Sequence, residues 1–370
     1  MSNKIFILGG TAGELIKLYP LIIRFEKISL DWNFIFTGQS PVNFINQWIE
    51  FKLPLNKLIK LTLTDKDLRS SLDALKWFLK VILIKKVNLV KLIGSVDNNS
   101  FYIVHGDTLS TLSGVFISKR LNAKKIIHIE AGLRSPFLLK PFPEEITRRL
   151  VSSLANIHFA PNLQAVQNLI KSSFVRGKVI NTHGNTLFDA VREIDDIDND
   201  INKKIGFEKY VLVNIHRFEN INSFKRWDFI IKFLINISKK YKILFVLHPV
   251  TEKKFNKLLI DNPLLFSNFV VLSRLSFNVF INLLKKSEFI ITDGGSNQEE
   301  CSFINKPCLI MRDGSERPDG LLKKVCVISK FDHKICHEFL LNYKKFSYYE
   351  VKRYDSPTDL ILKNLNIINK

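Results

Sequence analysis

The feature that most constrains the fold is an alternation of short apolar runs with longer helical stretches, repeated in two series along the chain. The runs are rich in β-branched and aromatic residues, as are strands buried on both faces of a parallel sheet. The helical stretches include residues 14–29, 108–121 and 142–154. The predicted strands are residues 5–8, 33–37, 101–105, 125–129, 157–160 and 179–182, then 210–215, 243–247, 269–272, 289–292, 308–311 and 325–327. This β-α-β pattern predicts two doubly wound, Rossmann-like α/β domains that face a central cleft.

An acidic, polar stretch at residues 195–200 separates the two series. It predicts the exposed end of a helix followed by a linker loop. We therefore expect an N-terminal domain over residues 1–185 and a C-terminal domain over residues 186–355. Residues 356–370 are expected to form a terminal helix that packs back on the N-terminal domain.

Composition narrows the choice of partners. The 370 residues include 55 Lys and Arg against 35 Asp and Glu, a net charge of +20, and 46% are hydrophobic. These values exclude a disordered or collagen-like chain. The positive charge favours anionic partners, although solvated surface lysines would explain it equally well. No nucleic-acid-binding module is recognisable and the lysines are spread along the chain, so a nucleic-acid partner is not expected.

The cysteines and the N-terminus indicate a cytoplasmic location. Cys301, Cys308, Cys326 and Cys336 lack the spacing of a zinc or redox site, so we expect buried free thiols and no metal. The N-terminus opens as a strand and lacks the cleavage region of a signal peptide.

Residues 72–93 are the nearest approach to a membrane span, but they contain five lysines. Such a segment does not cross a bilayer. Two alternatives remain open. The segment covers the N-terminal core with its apolar side, or it lies weakly on an anionic membrane surface.

Charged side chains follow two predicted strands of the first series. Asp107 ends one strand, Glu130 ends the next, and Glu144 begins a helix after Pro143. Three carboxylates at one edge of a sheet shift each other's pKa values, which suits a general acid and a general base. The simpler alternatives are a helix cap for Asp107, an ion pair of Glu130 with Arg134, and an intrahelical pair of Glu144 with Arg148.

Other strand ends carry possible phosphate-binding groups. The glycines at residues 9–13 would let backbone N–H groups approach a phosphate, or would form a tight turn only. In the second series, His216 and Arg217 follow one strand, and residues 294–296 begin a helix suited to a pyrophosphate. Glu299 or Glu300 could bind ribose hydroxyls. Two arginines, Arg312 and Arg317, follow a neighbouring strand.

As a set, these residues resemble the non-hydrolysing UDP-N-acetylglucosamine 2-epimerases, which have the GT-B fold. The resemblance extends from Gly10 to about Gly320. It rests on the motifs His105-Gly-Asp-Thr108, Glu130-Ala-Gly-Leu-Arg134, Pro143-Glu-Glu145, Gly184-Asn-Thr186, His216-Arg-Phe-Glu-Asn220, Gln298-Glu-Glu300 and Glu316-Arg-Pro318.

The resemblance implies an isomerase that expels and re-adds UDP at C1 of the sugar while C2 loses and regains a proton. It implies no cofactor, a homodimer and a role in surface polysaccharide synthesis. The implied catalytic residues are Asp107, Glu130, Glu144 and His216. The implied substrate-binding residues are Gly10, Lys17, Gln39, Arg134, Arg148, Asn185, Arg217, Gly294, Gly295, Ser296, Glu300 and Arg317.

The chain departs from the family at two phosphate-binding positions. Ala12 stands where the family's Gly-Thr-Arg-Pro-Glu motif has arginine, and Gly294-Gly-Ser296 replaces Ser-Gly-Gly. A different 2-acetamido sugar, hydrolytic release of the sugar, or a GT-B glycosyltransferase at the membrane face are therefore alternatives to 2-epimerisation of UDP-N-acetylglucosamine.

Overall fold

The protein is described from a computed structural model, in which the chain divides into two compact units. The first unit comprises Met1–Ala190 and Tyr354–Lys370, and the second comprises Val191–Arg353. The boundaries expected after residues 185 and 355 stay a prediction. The structure describes residues 4–61, 66–68, 70–94, 99–135, 142–194, 209–315, 320–321, 324–347 and 356–367. The acidic stretch at 195–200 and Arg317 lie outside these ranges.

The first unit contains a seven-stranded parallel sheet. Its strands are β1 Ile5–Gly9, β2 Trp32–Phe36, β3 Leu58–Lys60, β4 Phe101–His105, β5 Lys125–Ile129, β6 Ile157–Ala160 and β7 Lys178–Asn181. They lie in the order β3-β2-β1-β4-β5-β6-β7. All residues of β1 and β4 are buried, because helices cover both faces of the sheet. The chain order reverses between β1 and β4, where doubly wound sheets bind ligands.

The second unit contains a six-stranded parallel sheet with the same reversal, between β8 and β11. Its strands are β8 Tyr210–Asn214, β9 Lys242–Val246, β10 Phe269–Leu272, β11 Phe289–Thr292, β12 Cys308–Ile310 and β13 Cys326–Ile328. They lie in the order β10-β9-β8-β11-β12-β13. Each predicted strand of both series matches an observed strand within one residue at either end. The predicted fold class, two doubly wound parallel-sheet α/β domains, is therefore confirmed.

Helices flank both sheets. They are α1 Ala12–Lys27, α2 Pro41–Glu50, α3 Ser71–Ile82, α4 Lys86–Ile93, α5 Leu109–Arg120, α6 Glu144–Leu154, α7 Leu163–Ile170, α8 Leu187–Arg192, α9 Phe218–Asn222, α10 Phe224–Ser238, α11 Pro249–Asp261, α12 Phe277–Lys286, α13 Gly295–Ile304, α14 His333–Asn342 and α15 Pro357–Asn364. The C-terminal α15 belongs to the first unit and contacts α1 and α8, where Arg24 pairs with Asp359 and the Thr358 N–H donates to Asp189.

Helices α3 and α4 cover the core of the first unit. Trp77, Val81, Leu89 and Ile93 pack against residues of β1 and β4 in one apolar cluster. The core-covering alternative for residues 72–93 is therefore confirmed. No helix among the described residues has both the length and the apolar character needed to cross a bilayer.

Candidate active site

The loops that follow β4 and β5 hold the backbone in left-handed conformations. Gly106 has φ +73°, Glu130 has φ +61° and Gly132 has φ +86°. A Cβ atom on Gly132 would lie 2.3 Å from the Ala165 carbonyl oxygen, so glycine is required there. Glu130 adopts this conformation despite its side chain. Backbone strain of this kind costs on the order of 1–3 kcal/mol and is concentrated at functional sites.

The Glu130 carboxylate lies between two basic side chains. Its Oε2 atom is 2.6 Å from Lys17 Nζ and 3.2 Å from His105 Nε2. The structure thus pairs Glu130 with Lys17 rather than with Arg134, whose guanidinium donates to the Leu133 carbonyl. Because Lys17 belongs to α1, this ion pair connects α1 to the end of β5.

The Asp107 carboxylate is held by Arg148 of α6. Its Oδ2 atom is 2.8 Å from Arg148 Nε and 2.6 Å from Arg148 Nη2. Two N–H groups of one guanidinium therefore converge on a single carboxylate oxygen, which fixes its position. The simpler alternative, an intrahelical pair of Arg148 with Glu144, is wrong, because Arg148 reaches instead to Asp107 and to Glu145.

The adjacent glutamates that begin α6 have opposite environments. Glu145 is fully buried and accepts hydrogen bonds from the Ser135 N–H and Arg149 Nε, both at 2.9 Å. In contrast, the Oε2 atom of Glu144 is buried and has no hydrogen-bond partner within the described part of the chain. A buried carboxylate oxygen without a partner costs free energy, and such groups are retained where function needs them.

The turn between β1 and α1 uses two of its backbone amides within the protein. The N–H groups of Gly10 and Thr11 each donate to Glu14 Oε2 at 2.9 Å. A protein carboxylate thus already occupies the N-terminus of α1. Gly10 is needed for packing, since a Cβ atom there would lie 2.2 Å from Thr37 Oγ1. Nearby, Gln39 Oε1 accepts the Ser110 N–H at 2.8 Å.

Two buried histidines predict a loss of stability in acid. Burial lowers the pKa of His105 to about 4 and that of His128 to about 3, below the ordinary value of about 6.5. Below that ordinary value the unfolded chain binds more protons than the folded chain. The stability present above about pH 6.5 is therefore lost as the pH falls toward about 4, by roughly 1.4 kcal/mol per pH unit for each imidazole.

We expect the urea midpoint to fall between about pH 7.5 and about pH 5, and His128→Gln to flatten this dependence relative to the wild type. Urea titrations of both proteins at several pH values provide the measurement. Equal pH slopes for the two proteins would contradict the assignment.

In the second unit, the buried Asp293 organises the loop after β8. Its Oδ1 and Oδ2 atoms accept the backbone N–H groups of His216 and Arg217, each at 3.0 Å. Oδ2 also accepts the Asn220 side-chain amide at 2.9 Å. One carboxylate at the end of β11 therefore fixes the backbone that carries the predicted catalytic histidine.

The His216 imidazole is oriented through its Nδ1 atom. That atom lies 3.0 Å from Asn214 Oδ1 and 3.4 Å from Asp293 Oδ1. An Nδ1–H that donates to these oxygens leaves the Nε2 lone pair available as a base. The His248 ring lies 5.5 Å from the His216 ring, and burial, followed by the charge of His216, lowers the pKa of His248.

Helix α13 begins beside His216 and has no side-chain cap at its N-terminus. A Cβ atom on Gly294 would lie 2.8 Å from His216 Cε1, so this glycine allows the close approach. Gly295 follows as the first residue of the helix, and Ser296 is exposed in its first turn. An uncapped helix N-terminus of this kind favours a negatively charged group.

Three further predicted binding residues have protein partners. Arg217 pairs with Glu219 at 2.8 Å, and Glu300 is buried and accepts the Asn297 amide at 2.9 Å. Asn185 Oδ1 accepts the Leu187 N–H at 2.7 Å, which begins α8. These residues organise the local backbone, whatever else they contact.

The sequence analysis did not identify three carboxylates that bind backbone N–H groups near the predicted site residues. They are Glu14, Glu145 and Asp293. Only Glu14 had a local signal, because Thr11 and Glu14 have the spacing of a capping box, and the structure shows that box. The contacts of Glu145 and Asp293 join distant segments and leave no such pattern.

Comparison with known proteins finds relatives over most of the chain. The UDP-N-acetylglucosamine 2-epimerase family profile matches residues 27–357. A UDP-N-acetylglucosamine 2-epimerase of Methanococcus maripaludis is 35% identical over 235 residues, which are 61% of this chain and 63% of that protein. One of Campylobacter jejuni is 32% identical over 341 residues, which are 87% of this chain and 84% of that protein.

A solved structure is similar over nearly the whole chain. The UDP-GlcNAc 2-epimerase of Neisseria meningitidis, crystallised with UDP-GlcNAc, has a TM-score of 0.78 at 25% identity and covers 99% of this chain and 100% of that chain. The motif set, the two parallel sheets, the family profile and these relatives all indicate the same family. The chain belongs to the UDP-N-acetylglucosamine 2-epimerase family.

Proposed function

We propose that this protein interconverts UDP-N-acetylglucosamine and UDP-N-acetylmannosamine, or a related pair of UDP-2-acetamido sugars. A base removes the C2 proton while the C1–O bond breaks and UDP leaves with the bonding electrons. UDP oxygen then attacks C1 of the glycal intermediate, and C2 receives a proton on its opposite face. The family membership supports this reaction, and the relatives named above act on or bind this substrate class.

The observation that carries the proposal is that Glu144 Oε2 is buried and has no hydrogen-bond partner among the described residues. Arg148 lies four residues further along α6 and holds Asp107. Glu130 is held by Lys17. Proton removal from one face of C2 and delivery to the other requires more than one acid or base group. Asp107, Glu130 and Glu144 are the carboxylates that we assign to these roles.

We assign UDP departure to groups of the second unit. Charge develops on the leaving pyrophosphate as the C1–O bond breaks, and a helix N-terminus stabilises such charge. Gly294, Gly295 and Ser296 provide that terminus at α13. His216, oriented by Asn214 and Asp293, is the imidazole that we place in proton transfer.

Incubation with UDP-N-acetylglucosamine in deuterated water tests the proposal. We expect deuterium at C2 and formation of the C2 epimer, detected by NMR. Free sugar with UDP would indicate hydrolysis, and UDP release that requires an acceptor would indicate glycosyl transfer. No C2 deuterium with any of several UDP-2-acetamido sugars would contradict epimerisation.

For the assembly we propose a homodimer formed through the outer face of α3. Leu72, Leu75, Leu79 and Leu83 are exposed there. At about 100° per residue they share one face, opposite the buried Trp77 and Val81. A two-fold interface brings identical surfaces together, and a leucine stripe is complementary to itself. Lys76 and Lys80 lie to one side of the stripe, which leaves the leucines free to meet.

Light scattering of the wild type and of a Leu75→Glu/Leu79→Glu variant tests this assembly. We expect a wild-type dimer and a monomeric variant. A monomeric wild type that binds anionic vesicles, with affinity that weakens in salt, would show that the face contacts a membrane instead. The free, buried cysteines support a reducing compartment such as the cytoplasm.

A further inference from the structure

Glu14 is a buried carboxylate to which neither the reaction nor substrate binding assigns a role. Its Oε2 atom accepts the N–H groups of Gly10 and Thr11 at 2.9 Å and the Thr11 hydroxyl at 3.0 Å. Its Oε1 atom accepts the Thr108 hydroxyl at 2.8 Å and lies 3.1 Å from the Thr111 hydroxyl. Every partner can donate a hydrogen, so the contacts suit an ionised carboxylate.

These contacts join two helix N-termini. Thr11 is the N-cap of α1, and Thr108 is the N-cap of α5. A negative charge between two helix N-termini is favoured by both helix dipoles. Burial raises the pKa of Glu14, so desolvation opposes this charge and the surrounding donors favour it. An ordinary capping box uses one helix only, whereas this carboxylate reaches a second helix 94 residues away in sequence.

Each of these two helices adjoins one of the proposed acid–base carboxylates. Helix α1 carries Lys17, one turn after Glu14, and Lys17 pairs with Glu130. Thr108, the N-cap of α5, directly follows Asp107, and Asp107 pairs with Arg148. The Thr111 hydroxyl also lies 2.7 Å from the carbonyl oxygen of His105, the histidine beside Glu130.

We infer that Glu14 is a positioning residue, which fixes Glu130 and Asp107 relative to one another by tying the N-termini of α1 and α5 together. The inference rests on the proposed function. It does not require Glu14 to touch the substrate. It also gives the N–H groups of Gly10 and Thr11 a role other than phosphate binding. They bind the Glu14 carboxylate, which aligns α1 with α5.

Glu14→Gln tests the inference, with Glu26→Gln as the matched control. Both residues lie on α1, and Glu26 accepts a hydrogen bond from Trp32 Nε1 at 2.7 Å. We expect Glu14→Gln to lower kcat and the C2 deuterium-exchange rate together by about 10- to 100-fold, because misplaced catalytic groups lose rate steeply. KM and UDP affinity should stay within about threefold, and Glu26→Gln should keep kcat within about twofold of the wild type.

A second pair of variants keeps the test decisive if Glu14→Gln fails to fold. Thr108→Ser retains the hydroxyl and should keep kcat, whereas Thr108→Val should reproduce the loss. A folded Glu14→Gln with wild-type kcat, or equal kcat for the two Thr108 variants, would overturn the inference. A wild type without C2 exchange would instead overturn the proposed function, so the two failures are distinguishable.

Discussion

Glu144→Gln is expected to lower kcat by about 10²- to 10⁴-fold, the range lost when a positioned acid or base is removed. The same change should leave the melting temperature unchanged or raise it. The Oε2 atom of Glu144 is buried and has no hydrogen-bond partner in the described residues. Replacing it by a neutral amide removes a buried charge and changes the side-chain volume little. Steady-state kinetics and calorimetry on the same preparation give both values.

Glu145→Gln is the matched control, one residue along the same helix. Glu145 accepts the Ser135 N–H and Arg149 Nε and lies 3.4 Å from Arg148 Nη1. An amide cannot accept from all of these donors, so we expect a lower melting temperature, by several degrees. Of the two adjacent substitutions, only Glu145→Gln is therefore expected to lower stability. A Glu144→Gln variant with wild-type kcat would remove this residue from the proposed proton transfer.

The strands were predictable because their burial is encoded locally. A parallel strand covered on both faces is a continuous apolar run, and this holds for β1, β4 and β8. The strand β3 was missed, since its three residues are half-buried or exposed and lack such a run. The local sequence pattern therefore predicts the buried strands of both sheets. It does not predict a strand that only tertiary contacts define.

The two ion pairs that the sequence suggested as simpler alternatives are replaced by contacts with distant residues. Arg148 is four residues from Glu144, which favoured an intrahelical pair, yet it binds Asp107 from another loop. The nearby Arg134 was the simpler candidate partner for Glu130, which pairs instead with Lys17, 113 residues away in sequence. Sequence spacing ranks local partners, whereas the folded sheet brings strand ends and helix starts from distant segments together.

The two departures from the family pattern lie apart from these carboxylate pairs. Ala12 is the first residue of α1, where the neighbouring N–H groups of Gly10 and Thr11 already bind Glu14. The N-terminus of α13 is uncapped, with Gly294 beside His216. The sequence suggested phosphate-binding groups in both units. In our proposal, the second unit binds the phosphate groups.

Asp293→Asn should then weaken both catalysis and stability in the second unit. The buried Asp293 accepts the N–H groups of His216 and Arg217 and the Asn220 amide, and its Oδ1 atom is 3.4 Å from His216 Nδ1. An asparagine turns one of the two oxygens into a donor, which then faces a donor. We expect kcat to fall by about 10²- to 10³-fold, because the imidazole loses the group that orients it.

The stability loss should be about 1–3 kcal/mol, the cost of leaving a buried donor without an acceptor. Asp228→Asn in α10 is the control, since Asp228 is partly exposed and, among the described residues, forms an ion pair with Lys232 one turn along the helix surface. Such a pair contributes about 0.3–0.5 kcal/mol. Denaturant titration and kinetics of both variants separate the effects. If Asp293→Asn keeps kcat within about threefold of the wild type, His216 is not oriented through this carboxylate, and its place in proton transfer fails with it.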